Sequence, residues 1–185
     1  VSVGRLHRVK GMATLVDAWA SGPLAERANL LIVGGDLDSP SLDEREQIEL
    51  IDSVVPPAQR ASRGLLLPGH RPNDVVAQWV AAARVGLPGA TAPGGVYVCA
   101  SIKEEFGIAL LEAMATGLLV VAPDGGGPAT YVEDGATGIL TATWDAGLLR
   151  RAIETAVDTA QSERGSARAE LTRDMVRSRF TSQQM

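Results

Sequence analysis

Two glutamates eight positions apart, Glu104 and Glu112, mark the stretch of the chain with the clearest potential for chemistry. Phe106-Gly107 lies between them, and the run that starts at Ile108 favours a helix. Gly107 would let the backbone approach a ligand closely, and the first amides of the helix would have no internal partner. The amides could hold a phosphate while the carboxylates accept hydrogen bonds from sugar hydroxyls. The same residues also fit a core helix with one partly exposed glutamate.

A second candidate is the basic loop Gly4–Gly11, which follows an expected short strand and precedes an expected helix. In this loop Arg5 offers a planar guanidinium fork and Lys10 a point charge, and both groups suit a diphosphate. The alternative, which applies to most such residues, is that they are solvated surface cations.

The rest of the sequence predicts an alternation of strands and helices. We expect strands at 1–3, 29–34, 64–67, 96–99, 118–122 and 137–140. Helices are expected to start near 12, 42, 74, 108, 144 and 162. Such alternation is typical of an α/β domain with one doubly wound parallel sheet. Ligands of open α/β sheets bind at the carboxyl ends of strands, where both candidate loops are expected.

Composition narrows the class of protein. The chain has 185 residues, 45% of them hydrophobic and 21% charged, which is enough for one globular domain. A net charge of −5 argues against a nucleic-acid partner. The single cysteine, Cys99, excludes a disulfide within the chain and fits a reducing cytoplasm. We expect no transmembrane segment and no signal peptide. The start at Val1, inside an expected strand, indicates a fragment of a longer protein.

Two other patterns only weakly suggest a site, one for a metal ion and one for a dinucleotide. Asp36 and Asp38 could suggest a metal loop, but spaced acids in a turn are more often caps and turn formers. With His7 and His70 as the only histidines, the sequence predicts no metal site. The glycine run before Pro128 follows a strand but lacks the G-x-G-x-x-G spacing of a dinucleotide fold.

Taken in order, the motifs resemble the C-terminal domain of retaining glycosyltransferases of family 4, which have two facing Rossmann-like domains (the GT-B fold). The matching segments are VGRLHRVKG, NLLIVGG, LLLPGH, EEFGIALLEAMATG, VVAPDGGGP and EDGATGIL. The E-x7-E pair, Glu104 and Glu112, is the most recognisable signature of the family. Three features favour the branch of sucrose-phosphate synthase and sucrose synthase. These are GGDLDSPSLDEREQIELI, the loop before GGVYVCAS, and GGGPA.

The resemblance implies catalytic and phosphate-binding roles in the two loops. Gly4, Arg5 and Lys10 would bind the donor, and the two cations would hold its diphosphate and stabilise the leaving group. Glu104 would engage hydroxyls of the donor sugar. These groups would supply charge where it develops as the sugar–phosphate bond breaks. In the usual account of the family the donor phosphate helps to deprotonate the acceptor, so Glu104 need not be a nucleophile.

The other donor contacts implied by the resemblance come from backbone atoms and one carboxylate. The amides around Phe106, Gly107 and Ile108 would face sugar and phosphate. Glu112 would bind the ribose hydroxyls, and backbone atoms at His70 would hold the nucleobase. The donor would be a UDP-, GDP- or ADP-hexose, with no metal strictly required and no other cofactor.

The resemblance also implies a domain organisation. Residues 1–185 would form the donor-binding domain, and the partner would be an N-terminal acceptor-binding domain that this chain lacks. The ending RSRFTSQQM resembles the terminal helix that crosses back to that domain. The chain alone would then bind a nucleotide sugar without transferring the hexose to a sugar, sugar phosphate or other hydroxyl acceptor.

Two residues depart from the family pattern. Glu105 stands where a small residue or proline is usual, and Thr130 replaces the acid that usually follows the GGP segment. These departures would suit an alternative, a non-catalytic nucleotide-binding or interaction module that keeps the fold. A third possibility is an epimerase-like use of the two-domain fold, although such enzymes do not usually carry this glutamate spacing.

Overall fold

The computed structural model describes residues 1–162 and 164–180, which form six β-strands and eight α-helices. The strands are β1 (Ser2–Val3), β2 (Leu30–Val33), β3 (Leu65–Gly69), β4 (Val96–Val98), β5 (Leu119–Pro123) and β6 (Gly138–Thr141). The first four helices are α1 (Met12–Ala20), α2 (Leu24–Arg27), α3 (Leu42–Val54) and α4 (Pro57–Arg63). The last four are α5 (Asn73–Val85), α6 (Ile108–Thr116), α7 (Ala146–Gln161) and α8 (Arg164–Phe180).

The strands pair in parallel in two ladders, β1-β2-β3 and β4-β5-β6. Val1 joins the ladders, because its nitrogen donates to the Val96 carbonyl at 2.8 Å and its carbonyl accepts from the Val98 amide at 2.9 Å. The spatial order is therefore β3-β2-β1-β4-β5-β6, the order of a Rossmann-like doubly wound sheet. The predicted fold class is confirmed.

The order of the strands reverses between β1 and β4. A crevice forms at such a point because the connections leave the two neighbouring strands toward opposite faces of the sheet. The loop after β1 carries Arg5 and Lys10, and the loop after β4 carries Glu104. The topology thus places both candidate loops at the ligand-binding edge of the sheet.

Each face of the sheet is covered by three of the longer helices. One core contains buried residues of α1, α3 and α7, among them Leu15, Ile51 and Leu149. The other contains buried residues of α5, α6 and α8, among them Met114 and Met175. Strands covered on both faces read as continuous apolar runs, and this is why β2 and β5 were predictable from the sequence.

Several predicted helix details differ from the structure. In α5 only Val80 is buried, while Val75, Val76 and Trp79 are half-exposed, because this helix packs mainly against α6 and β4. Helix α7 begins after Asp145, whose carboxylate accepts from the Leu148 amide at 2.8 Å.

Three apolar side chains near the starts of helices are exposed, and helical spacing predicts two of them, Leu42 and Leu148, to belong to an apolar face. Trp144 precedes α7 and is 64% exposed. Leu42, in the first turn of α3, and Leu148, in the first turn of α7, are also exposed. Helical periodicity shows which residues share a face of a helix but not which turns are covered by other elements, so it overestimates burial in these first turns. The last residues of the predicted terminal helix, 181–185, lie outside the described residues.

Candidate functional site

The loops after β1 and β4 are held against each other by backbone contacts. The Ile102 amide donates to the Val9 carbonyl at 2.9 Å. Gly11 has a φ of 65°, and a Cβ there would lie 2.0 Å from the Ala100 carbonyl oxygen. Only glycine allows this approach, since another residue would meet both backbone strain and a steric clash. The K-G dipeptide of the sequence motif therefore brings the Lys10 loop next to the end of β4.

The structure brings Lys10 and Glu104 into direct contact. Lys10 Nζ lies 2.6 Å from Glu104 Oε2, and the two side chains are 25% and 15% exposed. The same oxygen accepts a hydrogen bond from Ser101 Oγ at 2.9 Å. The other oxygen, Oε1, has no hydrogen-bond partner within residues 1–162 and 164–180. One carboxylate oxygen is thus fixed by the protein and the other can accept from a ligand hydroxyl.

Helix α6 starts directly after Glu104, as the sequence predicts. Gly107 is its N-cap, with φ 85° and ψ 57°, and the first helical bond runs from the Leu111 amide to the Gly107 carbonyl at 3.0 Å. The amides before Leu111 have no intrahelical partner, so the helix presents unpaired donors beside Lys10. These donors and the positive end of the helix dipole favour an anion at this position.

The glycine run that resembled a weak dinucleotide motif supports the Glu104 loop instead. The Gly127 amide donates to the Glu104 carbonyl at 2.9 Å. A Cβ at Gly126 would lie 2.4 Å from that carbonyl oxygen, and one at Gly127 would lie 2.1 Å from the Glu105 carbonyl oxygen. The run therefore lets β5 and its following turn pack directly against the backbone of the loop.

Sequence reasoning missed three residues that hold the Glu104 loop. Ser101 binds the Glu104 carboxylate, and its own carbonyl accepts from Thr143 Oγ1 at 2.6 Å. Tyr131 Oη donates to the Phe106 carbonyl at 2.6 Å. The three-residue spacing of Ser101 and Glu104 could have suggested a local hydrogen bond. Nothing in the sequence connects Thr143 or Tyr131 with this loop.

Burial changes the pKa values of two titratable groups next to the Glu104 loop, Cys99 and Tyr131. It raises the pKa of the Cys99 thiol, which lies 3.9 Å from Glu104 Oε2. It also raises the pKa of the Tyr131 hydroxyl. Both groups therefore keep their protons near neutral pH and add no negative charge to the site.

Arg5 and Glu112 do not join the contact between Lys10 and Glu104. The Arg5 side chain is exposed and makes no hydrogen bond or ion pair with another described residue. Glu112 is also exposed and has no such contact in the part of the chain that the structure describes. It follows Ile108 by one helical turn, and Ile108 is 67% exposed, so both lie on the open face of α6.

His70 lies at the carboxyl end of β3 with an exposed side chain. Its amide donates to the Gly35 carbonyl at 2.8 Å, and its carbonyl accepts from Arg71 Nη1 at 2.7 Å. A carbonyl oxygen has two lone pairs, so it can still accept a second hydrogen bond. Of the two backbone groups at this position, only the carbonyl has capacity left for a ligand.

The residues that depart from the family pattern form local contacts. Glu105 pairs with Lys103 at 3.0 Å, with side chains 84% and 71% exposed. Thr130 Oγ1 donates to the Gly127 carbonyl at 2.7 Å. Both contacts are short-range, so the two departures leave the contact between Lys10 and Glu104 intact.

The acidic loop after β2 is a turn, as the sequence favoured. Asp36 Oδ1 accepts from the Asp38 and Ser39 amides at 3.0 and 2.9 Å. The described residues contain no group of three or more His, Cys, Asp or Glu side chains that could hold a metal ion. None of their helices is both long and apolar enough to cross a membrane.

Comparison with known proteins extends these observations. The family described as "Glycosyl transferases group 1" matches residues 1–159. The chain is 35% identical over 143 residues to alpha-maltose-1-phosphate synthase of Mycolicibacterium smegmatis, which covers 75% of the chain and 31% of that protein. It is 32% identical over 148 residues to sucrose synthase of Acidithiobacillus caldus, which covers 75% of the chain and 17% of that protein.

Solved structures agree with the sequence matches. Sucrose-phosphate synthase of Thermosynechococcus elongatus superposes with a TM-score of 0.77 at 27% identity, covering 98% of the chain and 41% of that structure. Anabaena HepE in complex with UDP gives a TM-score of 0.74 at 26% identity, covering 97% of the chain and 44% of that structure. The chain thus spans less than half the length of these relatives. The resemblance predicted from the motifs is confirmed, and the chain belongs to the group 1 glycosyl transferases.

Proposed function

We propose that residues 1–185 form the donor-binding domain of a retaining glycosyltransferase that transfers a hexose from a nucleotide-diphosphate sugar. The observation that carries this proposal is the contact between Lys10 and Glu104 beside the unpaired amides of α6. It combines a cation, a hydroxyl acceptor and backbone donors at the reversal of strand order. A sugar linked to a diphosphate needs these three kinds of group.

The pairing of Lys10 with Glu104 has a physical reason in such a site. A carboxylate beside a diphosphate is repelled, and the repulsion is strong where water is partly excluded. Lys10 lies against the carboxylate and offsets that repulsion while it remains able to reach a phosphate oxygen. Glu104 Oε1 can then accept from a sugar hydroxyl, because Oε2 is already held by Lys10 and Ser101.

The remaining contacts with the nucleotide sugar would come from residues outside the Lys10–Glu104 pair. Arg5, exposed in the first loop, would reach the diphosphate, since no described contact holds its side chain elsewhere. Glu112 on the open face of α6 would accept from ribose hydroxyls, and the His70 carbonyl would accept from the nucleobase. HepE is solved with UDP and with UDP-glucose, which supports a uridine nucleotide as the first ligand to test.

The decisive test is calorimetry with UDP-, GDP- and ADP-glucose and with the corresponding nucleoside diphosphates. We expect one series to bind and Lys10→Ala to weaken that binding about 10- to 100-fold, the usual range for losing a charge-assisted hydrogen bond. Lys103→Ala is the matched control, because Lys103 lies in the loop after β4 and, among the described residues, pairs only with the exposed Glu105. Absence of binding to every nucleotide, or equal affinities of Lys10→Ala and wild type, would overturn the proposal.

Turnover requires more than this domain. We propose that acceptor binding and further catalytic groups come from an N-terminal domain, so the isolated 185 residues bind donor without transferring the sugar. Retention would be shown by the anomeric configuration of the first product in an NMR time course with the full-length protein. Because Lys10, Arg5 and the α6 amides meet the diphosphate charge, chelation of divalent metals should leave donor affinity unchanged. A full-length protein that binds donor but neither hydrolyses nor transfers it would identify a non-catalytic module.

A further inference from the structure

Tyr131 connects the second core of the domain with the candidate site. It follows a 3₁₀ turn at Pro128–Thr130 and is only 4% exposed. Its hydroxyl donates to the Phe106 carbonyl at 2.6 Å. The ring packs against Phe106 and Phe180, with centroids 6.3 and 5.5 Å away. The Tyr131 ring is therefore buried in an aromatic cluster, and its hydroxyl is fixed on the Phe106 carbonyl.

This hydrogen bond fixes the orientation of one peptide unit. A trans peptide is planar, and its carbonyl and N–H point in opposite directions. The Phe106 carbonyl faces the buried Tyr131, so the N–H of Gly107 faces away from the core. No described residue accepts a hydrogen bond from that N–H. Because Gly107 has no Cβ, it offers less steric resistance to rotation of this peptide unit than any other residue type would.

The neighbouring peptides are held by other groups. The Glu104 carbonyl accepts from the Gly127 amide, and the Gly107 carbonyl accepts from the Leu111 amide. The Phe106 carbonyl lies between these two carbonyls in the sequence. Among the described residues, its hydrogen-bond donor is Tyr131. Gly107 itself lies beside Glu104 and Tyr131, since a Cβ on Gly107 would be 3.3 Å from Glu104 Cγ and 2.8 Å from Tyr131 Oη.

We propose that Tyr131 is a positioning residue that orients the Gly107 amide toward the hexosyl phosphate of the donor. This inference rests on the proposed donor-binding function. Tyr131 touches no ligand, and it acts through the peptide between Phe106 and Gly107. Without the hydroxyl the peptide could rotate and turn a carbonyl oxygen toward an anionic ligand, which would replace an attraction by a repulsion.

The test is Tyr131→Phe in the full-length protein, which removes one oxygen atom and keeps the ring packing. Affinity is measured for the nucleotide sugar that wild type binds and for the nucleoside monophosphate with the same base. The monophosphate lacks the hexose and the second phosphate. We expect the nucleotide sugar to bind about five- to tenfold more weakly, as for one lost hydrogen bond, and the monophosphate to change less than about twofold.

Tyr97→Phe is the matched control. Tyr97 is also buried, and its hydroxyl donates to the Val3 carbonyl at 3.3 Å. The next amide, that of Gly4, is held independently by the Val33 carbonyl at 2.9 Å, so this peptide keeps its orientation without the hydroxyl. We expect Tyr97→Phe to cost similar stability and to leave the ratio of the two affinities unchanged.

The outcomes separate the inference from the function on which it rests. If the wild type binds the nucleotide sugar and Tyr131→Phe binds it with the same affinity, the positioning role is overturned while the proposed function stands. An equal loss for both ligands would show that Tyr131 only supports the fold, and this would also overturn it. Failure of the wild type to bind any nucleotide would overturn the proposed function and the inference with it.

Discussion

The loops after β2 and β4 are both held through their backbone, but by different kinds of group. In the loop after β2, Glu44 accepts from the Asp36 amide and from the Ser41 amide, both at 2.9 Å. The S-x-x-E spacing of Ser41 and Glu44 in the sequence predicts a capping box. The two residues form one at the start of α3. These bonds lie at the surface and depend on an ionised carboxylate.

The backbone of the loop after β4 is held mainly by neutral, partly buried groups, the Tyr131 hydroxyl and the Gly127 amide. The Ser101 hydroxyl and the Lys10 ammonium bind the Glu104 carboxylate instead. A hydrogen bond is stronger at low local dielectric, and an uncharged donor keeps its proton over a wide pH range. We infer that the backbone is held most firmly in the loop after β4, where its fixed dipoles would stabilise developing charge.

The largest loss of stability is expected from a substitution of Gly127, which packs against the loop after β4. Gly127 has an ordinary φ of −57°, so alanine is excluded only by steric contact with the facing backbone, 2.1 Å from the Glu105 carbonyl oxygen and 2.9 Å from Phe106 Cα. We expect Gly127→Ala to lower the free energy of unfolding by about 3 kcal/mol, because neither backbone can give way. In a domain of this size the melting temperature should fall by roughly 5–10 °C, and calorimetry should show weaker donor binding.

Gly125→Ala is the control for that prediction. A Cβ at Gly125 meets nothing within 4 Å, although it lies in the same glycine run. We expect its melting temperature and donor affinity to match wild type. A similar loss in both variants would mean that the run requires flexible backbone throughout and not one close contact.

The loop after β2 should respond to pH. Hydrogen bonds from the Asp36 and Ser41 backbone amides hold the pKa of Glu44 below its ordinary value. A lowered folded-state pKa gives stability that is present above the unfolded pKa, near 4.5, and is lost as pH falls through the folded pKa. Urea unfolding should therefore show Glu44→Gln to be less stable than wild type at pH 7, by less than about 1 kcal/mol.

The difference between Glu44→Gln and wild type should narrow toward pH 3. Glu49→Gln is the control, since Glu49 lies on the same helix, is exposed and has no hydrogen bond or ion pair with another described residue. A gap between Glu44→Gln and wild type that stays constant from pH 7 to pH 3 would contradict the assigned role of the carboxylate.

The smallest effect is expected at His70. Only its backbone carbonyl has capacity for a nucleobase, and its side chain is exposed. We expect His70→Ala to change nucleotide affinity by less than about twofold, within the range of neutral surface substitutions. A loss of tenfold or more in calorimetry would show that the imidazole itself contacts the ligand.

Much of the fold was predictable because it depends on local sequence. Apolar runs gave the strands that are covered on both faces, and helical spacing gave α1, α3 and α7. The capping box at Ser41 and the helix start at Gly107 followed from residue type alone. The predictions were wrong for Leu42 and Leu148, because periodicity does not show which turns of a helix are covered by other elements.

The sequence by itself determined the alternating α/β pattern, the two candidate loops and the types of group that each could offer a donor. Only the tertiary structure decided that Lys10 and Glu104 touch, that Arg5 and Glu112 stand apart from them, and that Gly127 and Tyr131 hold the second loop. The physical reason is that these contacts join residues far apart in the chain. Their distances are set by how β1, β4 and β5 pair, and no local pattern records that pairing.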